Sequence, residues 1–169
     1  MSQTTIPDGQ TAAPPAGTIG DLAPHYIKSC VNAEGANEIP FGVLVMKGTG
    51  DDDAVQFDSD SGIPLGIVTR QNAYAVDGEV GDTGLKPGAM MGVMFSGTVY
   101  AYFEEAVTKG GTVRVRTTAG AGEVLGALRT TADSTDAAVV TGIEALESAG
   151  PGPVLCHIDM NGATLTADT

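Results

Sequence analysis

The chain has 169 residues, a formal net charge of −13 from 21 acidic against 8 basic side chains, and 24 Gly with 9 Pro among 42% hydrophobic residues. At this length a single domain buries roughly 68–70% of its unfolded surface and needs neither disulfide nor metal to hold it. The acidic excess repels phosphate backbones and anionic membrane surfaces, excluding nucleic acid and membrane as partners, and the Gly/Pro content with only 17% charged residues points to a turn-rich all-β protein.

Residues 1–22 are Thr, Pro, Ala and Gly with Ile6, Ile19 and Leu22 as the only large aliphatics, so they read as a flexible N-terminal arm that orders along a partner. No basic stretch followed by an apolar one opens the chain, so no secretion signal is expected, and no run approaches the ~18 apolar residues of a membrane helix. A single β-rich domain is expected over 23–163, with 164–169 as a frayed C-terminus. Its first strand is predicted over His25–Val31. Ile39–Gly48 is a turn into a strand that is apolar on both faces, buried on two sides or at a subunit contact.

Asp51-Asp52-Asp53 and Asp58-Ser59-Asp60-Ser61-Gly62 bracket Ala54–Phe57. The acidic spacing departs from a calcium loop, with Gly one position early and no Glu at the twelfth, and reads as a solvated acidic loop. Ile63–Arg70 is a further strand, and 71–83 a long turn. From Gly84 to Phe103 the apolar positions recur every second residue, which predicts a hairpin turning at Ser96-Gly97. Met91, Val93 and Phe95 share one face, Val99, Ala101 and Phe103 share one face of the next strand, and Tyr100 and Tyr102 take the other. Strands follow at Thr112–Arg116, with Arg114 and Arg116 outward, then Leu125–Leu128, Ala137–Ile143 and Val154–Ile158. The β-branched Val139-Val140 and the Thr141-Gly142 interruption favour strand over helix in the Ala-rich segment. Glycine turns at Pro40-Phe41-Gly42 and Lys109-Gly110-Gly111, and at Leu65-Gly66 and Leu125-Gly126, echo one another as an imperfect internal repeat or as shared turn chemistry.

No constellation for catalysis emerges, so no catalytic, cofactor or metal residue is assigned and no enzyme is expected. His25 and His157 lack a second histidine at ligand spacing. Cys156 and His157 are strand neighbours that point to opposite faces. Glu104-Glu105 reads as a solvated pair. Cys30 and Cys156 read as two buried thiols, with a disulfide between the first and last strands left open. What remains is surplus apolar strand surface at Leu44, Met46, Met90, Met94, Tyr100 and Tyr102, opposite the better-packed side of each strand. Such surface suits a partner contact. With the arm residues Ile6, Pro7, Pro14, Pro15 and Ile19, the residues Leu44, Met46, Met94, Tyr100 and Tyr102 form the candidate partner-binding set.

Several turn-plus-strand motifs, Ala33-Glu34-Gly35 before Ile39-Pro40-Phe41-Gly42, Pro64-Leu65-Gly66-Ile67-Val68, Lys86-Pro87-Gly88 with Met94-Phe95-Ser96-Gly97-Thr98-Val99, and Ala106–Val113, resemble the capsid cement (decoration) proteins of tailed bacteriophages. The resemblance spans roughly residues 30–160. It implies a small β-barrel or β-sandwich that binds the outer surface of a matured virion head. There it would act as a homo-oligomer, a trimer in preference to a dimer, stapling neighbouring subunits of the major capsid protein after passing through the host cytoplasm during assembly. It transfers no individual functional residue. The alternative is a virion receptor-binding or host-surface adhesion module, for which Gly48–Gly62 is the candidate exposed tip.

Overall fold

The computed structural model describes residues 14–20, 24–70 and 84–168. Among them are eleven strands and no helix: β1 (Tyr26–Asn32), β2 (Leu44–Lys47), β3 (Asp53–Val55), β4 (Pro64–Thr69), β5 (Met90–Phe103), β6 (Arg114–Arg116), β7 (Leu128–Arg129), β8 (Ala137–Val140), β9 (Ile143–Ala145), β10 (Gly152–Asp159) and β11 (Leu165–Ala167).

Five of them close on themselves. β1 runs parallel to β3, β3 pairs antiparallel with β2, β2 with β4, β4 with β5, and β5 returns to β1. The ring is a small barrel, one of the two forms the resemblance implies, and a closed ring leaves no free edge among its members. Its interior is filled by Cys30, Val43, Val45, Ala54, Leu65, Val68, Met91 and Val93, with Ile39, Leu85 and Ala89 from the connections plugging it.

The two-sided apolar character of β2 and β4 now has its explanation. Leu44 and Met46 alternate with Val43 and Val45, so they leave the barrel on its outer wall, where Ile67 and Met94 join them. A second β layer covers that wall. It contributes Val113, Val115, Leu128, Ala138, Val140, Ile143, Val154, Cys156 and Ile158 to a second core. In this layer β7, β6, β8 and β11 extend the sheet from the end of β5, while β10 lies between β5 and β9.

The hairpin expected at Ser96-Gly97 is absent, because β5 runs on for 14 residues through that point. Opposite it, β1 pairs Tyr26 with Ser96 but Ile27 with Met94, so Phe95 is an extra residue, a β-bulge. Gly97, at φ +133°, accepts the resulting twist. One inserted residue reverses which side points inward. Met91 and Val93 therefore face the barrel interior, whereas Met94, Val99, Ala101 and Phe103 face the second core.

Two further expectations are corrected. The Gly48–Gly62 stretch is not one projecting tip: β3 runs through it and Phe57 is fully buried in the second core, while Asp51, Asp52, Asp58 and Asp60 are exposed, as a solvated acidic loop requires. Residues 164–168 are not frayed, because β11 pairs Leu165 with Val140 and Ala167 with Ala138, and Asp168 takes the Arg114 Nε–H at 2.8 Å. Of the two readings left open for the glycine echoes, the positions favour turn chemistry over repeated halves. Gly42 and Gly110 both occupy turns at positive φ, but Gly66 lies inside β4 while Gly126 sits in a loop against Leu44. The Ala137–Ile143 segment is strand as expected, broken by a turn at Thr141-Gly142 into β8 and β9.

Candidate functional site

Of the candidate contact residues, Leu44 and Met94 are 0% exposed and Met46 is buried beside them in the second core. These three are not a partner surface. Their strand faces do lie outside the barrel, but the chain's own second layer consumes them. Met90 does reach solvent at 55% exposure. Ile6 and Pro7 lie outside the described residues.

Tyr100 and Tyr102 are half-buried, on the side of β5 opposite Val99, Ala101 and Phe103. The antiparallel register of β10 sets Leu155 opposite Tyr100, Pro153 opposite Tyr102 and His157 opposite Thr98, so these side chains share one outer face. Residues 17–20 of the predicted arm lie along this part of β5 as an added strand. Gly17 N–H donates to the Tyr100 carbonyl at 2.7 Å, Tyr100 N–H to Thr18 at 2.8 Å and Gly20 N–H to Thr98 at 2.8 Å, with Ile19 bridged to Val99. Ile19 packs its side chain on the second core, whereas Pro14 is half-buried and Pro15 exposed where the strand begins.

The other side of this strand is held as closely. Arg70 N–H donates to the Gly17 carbonyl at 2.6 Å, and the Arg70 guanidinium lies 4.3 Å over the Phe41 ring. At Gly42 (φ +82°) a Cβ would come within 2.6 Å of Ala16 Cβ, so glycine is what admits the arm. The main chain of residues 17–20 thus runs beside Tyr100, with Phe41, Arg70, Pro153 and Leu155 around this part of β5, while the Ile19 side chain turns to the second core.

The closest ion pairs among the described residues lie in the second layer. Arg116, expected outward, is 3% exposed, with Nε and Nη2 on the Glu104 carboxylate at 2.8–3.0 Å and Nη2 also on Glu123 and Asp133. Arg129 pairs with Glu104 and Asp133. Glu104 and Glu105 are therefore not a solvated pair: one anchors two arginines, and the other caps the Thr130-Thr131 backbone. Burial pushes the Glu105 carboxyl up, but hydrogen bonds from the hydroxyls and amides of Thr131 and Thr130 outweigh it, taking the group from 4.5 down to about 2. A depressed folded value stabilises the protein above the unfolded value and loses that contribution as pH falls towards 2. Glu105→Gln is therefore expected to cost about 1 kcal/mol at neutral pH and to flatten the stability profile between 4.5 and 2, read by urea denaturation across that range.

Cys30 and Cys156 are free and buried, and burial raises both thiols, Cys156 to about 12, with Glu147 adding to it. Cys156 faces the second core while His157 faces out, as strand alternation requires. Among the described residues no group of three or more His, Cys, Asp or Glu is placed to hold a metal ion.

The family model for structural cement protein (E217 gp24/Pam3 gp6) matches residues 3–161. The chain belongs to this phage cement family. Its fold is shared by a chain in a solved structure titled "The capsid of Myoviridae Phage XM1", at 18% identity and a TM-score of 0.68, covering 94% of this chain and 98% of that one. No curated protein matches. The resemblance drawn from the turn-plus-strand motifs is thereby shown, and the cement protein is a structural protein of the phage capsid.

The sequence singles out Tyr100 and Tyr102 on this face of the cement protein's sheet but gives no signal for the residues beside them. Tyr100 and Tyr102 stand out as aromatics alternating with a core pattern. Pro153 and Leu155 are also set two apart on a strand, but only the register of β10 on β5 reveals that they adjoin the tyrosines. Phe41 and Arg70 carried no signal beyond an aromatic next to a turn and a basic residue closing a strand.

Proposed function

We propose that this protein is capsid cement in the full sense: it binds the outer surface of a phage head as a homo-oligomer, a trimer before a dimer, and stabilises contacts between major capsid subunits. The observation that carries this reading is the half-covered face of Tyr100, Tyr102, Pro153 and Leu155, with Glu147 at its edge accepting the Leu155 N–H at 2.9 Å and bordered by an arm stitched to β5 over Gly17–Gly20. Both cores are complete within one chain, so this face is not needed for folding. Aromatic side chains such as Tyr100 and Tyr102 are among the groups that dominate protein interfaces. The net charge of −13 suits the outside of a shell filled with DNA and disfavours its interior. Attachment at the face and along the arm multiplies two modest affinities.

The test is retention on purified heads stripped of cement. Full-length protein is expected to co-sediment with heads and raise the temperature at which they release DNA. Tyr100→Ala with Tyr102→Ala is expected to weaken binding on the order of tenfold or more, with circular dichroism unchanged. Deletion of 2–13 spares the β-paired 17–20 and reads the contribution of the preceding arm alone. Heads that fail to retain the full-length protein would end the cement reading, and undiminished binding by the double variant would move the contact elsewhere.

A further inference from the structure

We propose that the turn joining β10 to β11 is a chemical modification site, at which Asn161 deamidates through a cyclic imide and the product loosens the C-terminal strand. The chain leaves β10 at Asp159, buries Met160, and reverses in a turn closed by Ala163 N–H on the Met160 carbonyl at 3.2 Å, with Asn161 and Gly162 at the two central positions. Gly162 has φ +75°, the conformation a turn asks of glycine at its second central position. Both residues are exposed, and a Cβ built on Gly162 would meet nothing within 4 Å.

The chemistry needs only water. The Gly162 main-chain nitrogen attacks Asn161 Cγ, a five-membered imide closes, and Nδ2 leaves as ammonia carrying the amide proton. Water then opens either imide carbonyl. Opening one gives aspartate, and opening the other gives isoaspartate, in which the main chain passes through the former side-chain carbon. A bulky following residue or a covered following amide ordinarily blocks the attack, and neither is present here.

The other described asparagines are protected. Asn32 is 1% exposed, precedes Ala33, and holds its amide on the Leu85 and Asn37 carbonyls at 2.8 and 3.1 Å while its oxygen accepts the Glu34 N–H. Asn37 is exposed but precedes Glu38.

The consequence follows from what the turn holds. Asn161 N–H donates to Asp159 Oδ1 at 3.1 Å, so a carboxylate formed at 161 lies next to an existing one. Just beyond, Thr164 N–H donates to Thr141 Oγ1 at 2.8 Å and Thr141 N–H to the Thr164 carbonyl at 3.0 Å, which sets Leu165 opposite Val140. An isoaspartate adds one main-chain carbon between Met160 and that anchor and pushes β11 out of register.

Peptide mapping of the full-length protein after extended incubation in mildly alkaline buffer tests this. Expected is a gain of one mass unit and one negative charge at residue 161, mostly as isoaspartate, with Asn32 and Asn37 unchanged. In the converted fraction, amide hydrogen exchange over 164–167 should quicken by about tenfold. Asn161→Ser should abolish the conversion and leave exchange at its starting rate. Survival of Asn161 while a free peptide of residues 158–165 converts in the same buffer would overturn the proposal. Conversion with no change in exchange over 164–167 would overturn its structural half.

Discussion

Gly66→Ala is expected to destabilise the protein by about 4 kcal/mol or more, enough to abolish the folded state in many small domains. Gly66 lies in β4 between β2 and β5 with φ +155°, and a Cβ there would fall far inside van der Waals contact distance of the Met94 carbonyl oxygen and press on Val93. The obstruction is main chain, so no rotamer change relieves it. β4 and β5 would have to separate where Ile67 pairs with Met94, and that pairing helps close the barrel. Gly88→Ala is the control, because φ there is also positive, at +79°, but nothing lies within 4 Å of the added carbon. Urea denaturation should find Gly88→Ala costing about 1 kcal/mol from backbone conformation alone. Equal effects at the two positions would refute the close-approach argument.

Arg116→Ala is expected to cost about 3 kcal/mol. Its guanidinium, 4% exposed, makes charged hydrogen bonds to Glu104 and reaches Glu123 and Asp133, so truncation leaves Glu104, itself 16% exposed, with Arg129 as its remaining cation. Removing one partner of a buried pair strands the other in a region water enters poorly, which is why the loss exceeds the value of a surface ion pair. Glu123 sits at the rim of the same network with 39% of its side chain exposed, and Glu123→Ala should cost less than about 1 kcal/mol. Raised salt should narrow the rim effect more than the buried one. A larger loss at Glu123 than at Arg116 would show that the network is held by its periphery.

Fold class was legible because alternation of apolar residues is a direct consequence of strand geometry. Val43 and Val45 against Leu44 and Met46 show that both faces of β2 are buried, and they are. What the pattern cannot carry is the identity of the cover. A face sealed by the second half of the same chain and a face sealed by another subunit leave the same residues in the sequence, so Leu44, Met46 and Met94 looked like partner surface. Ser96-Gly97 has the composition of a tight turn and of a bulge alike, and only the pairing of Ile27 with Met94 distinguishes them. β11 is three residues with a single large aliphatic, too short for a period. Its order comes from Val140 and from the Arg114–Asp168 pair, a contact between positions 54 apart in sequence. The burial of Arg116 had no local signature either, because an arginine that alternates with valines along a strand reads as solvent-facing until its carboxylates are located.

The bulge in β5 also bears on how the molecule transmits force. Because one continuous backbone lines the inside of the barrel and then the second core, the two compartments have no seam along which they could slide apart. A pull on the outer layer loads the covalent chain and the β1, β4 and β10 ladders flanking it together, so yielding requires many hydrogen bonds to break in shear at once. Side-chain packing between independent layers would peel instead, one contact after another.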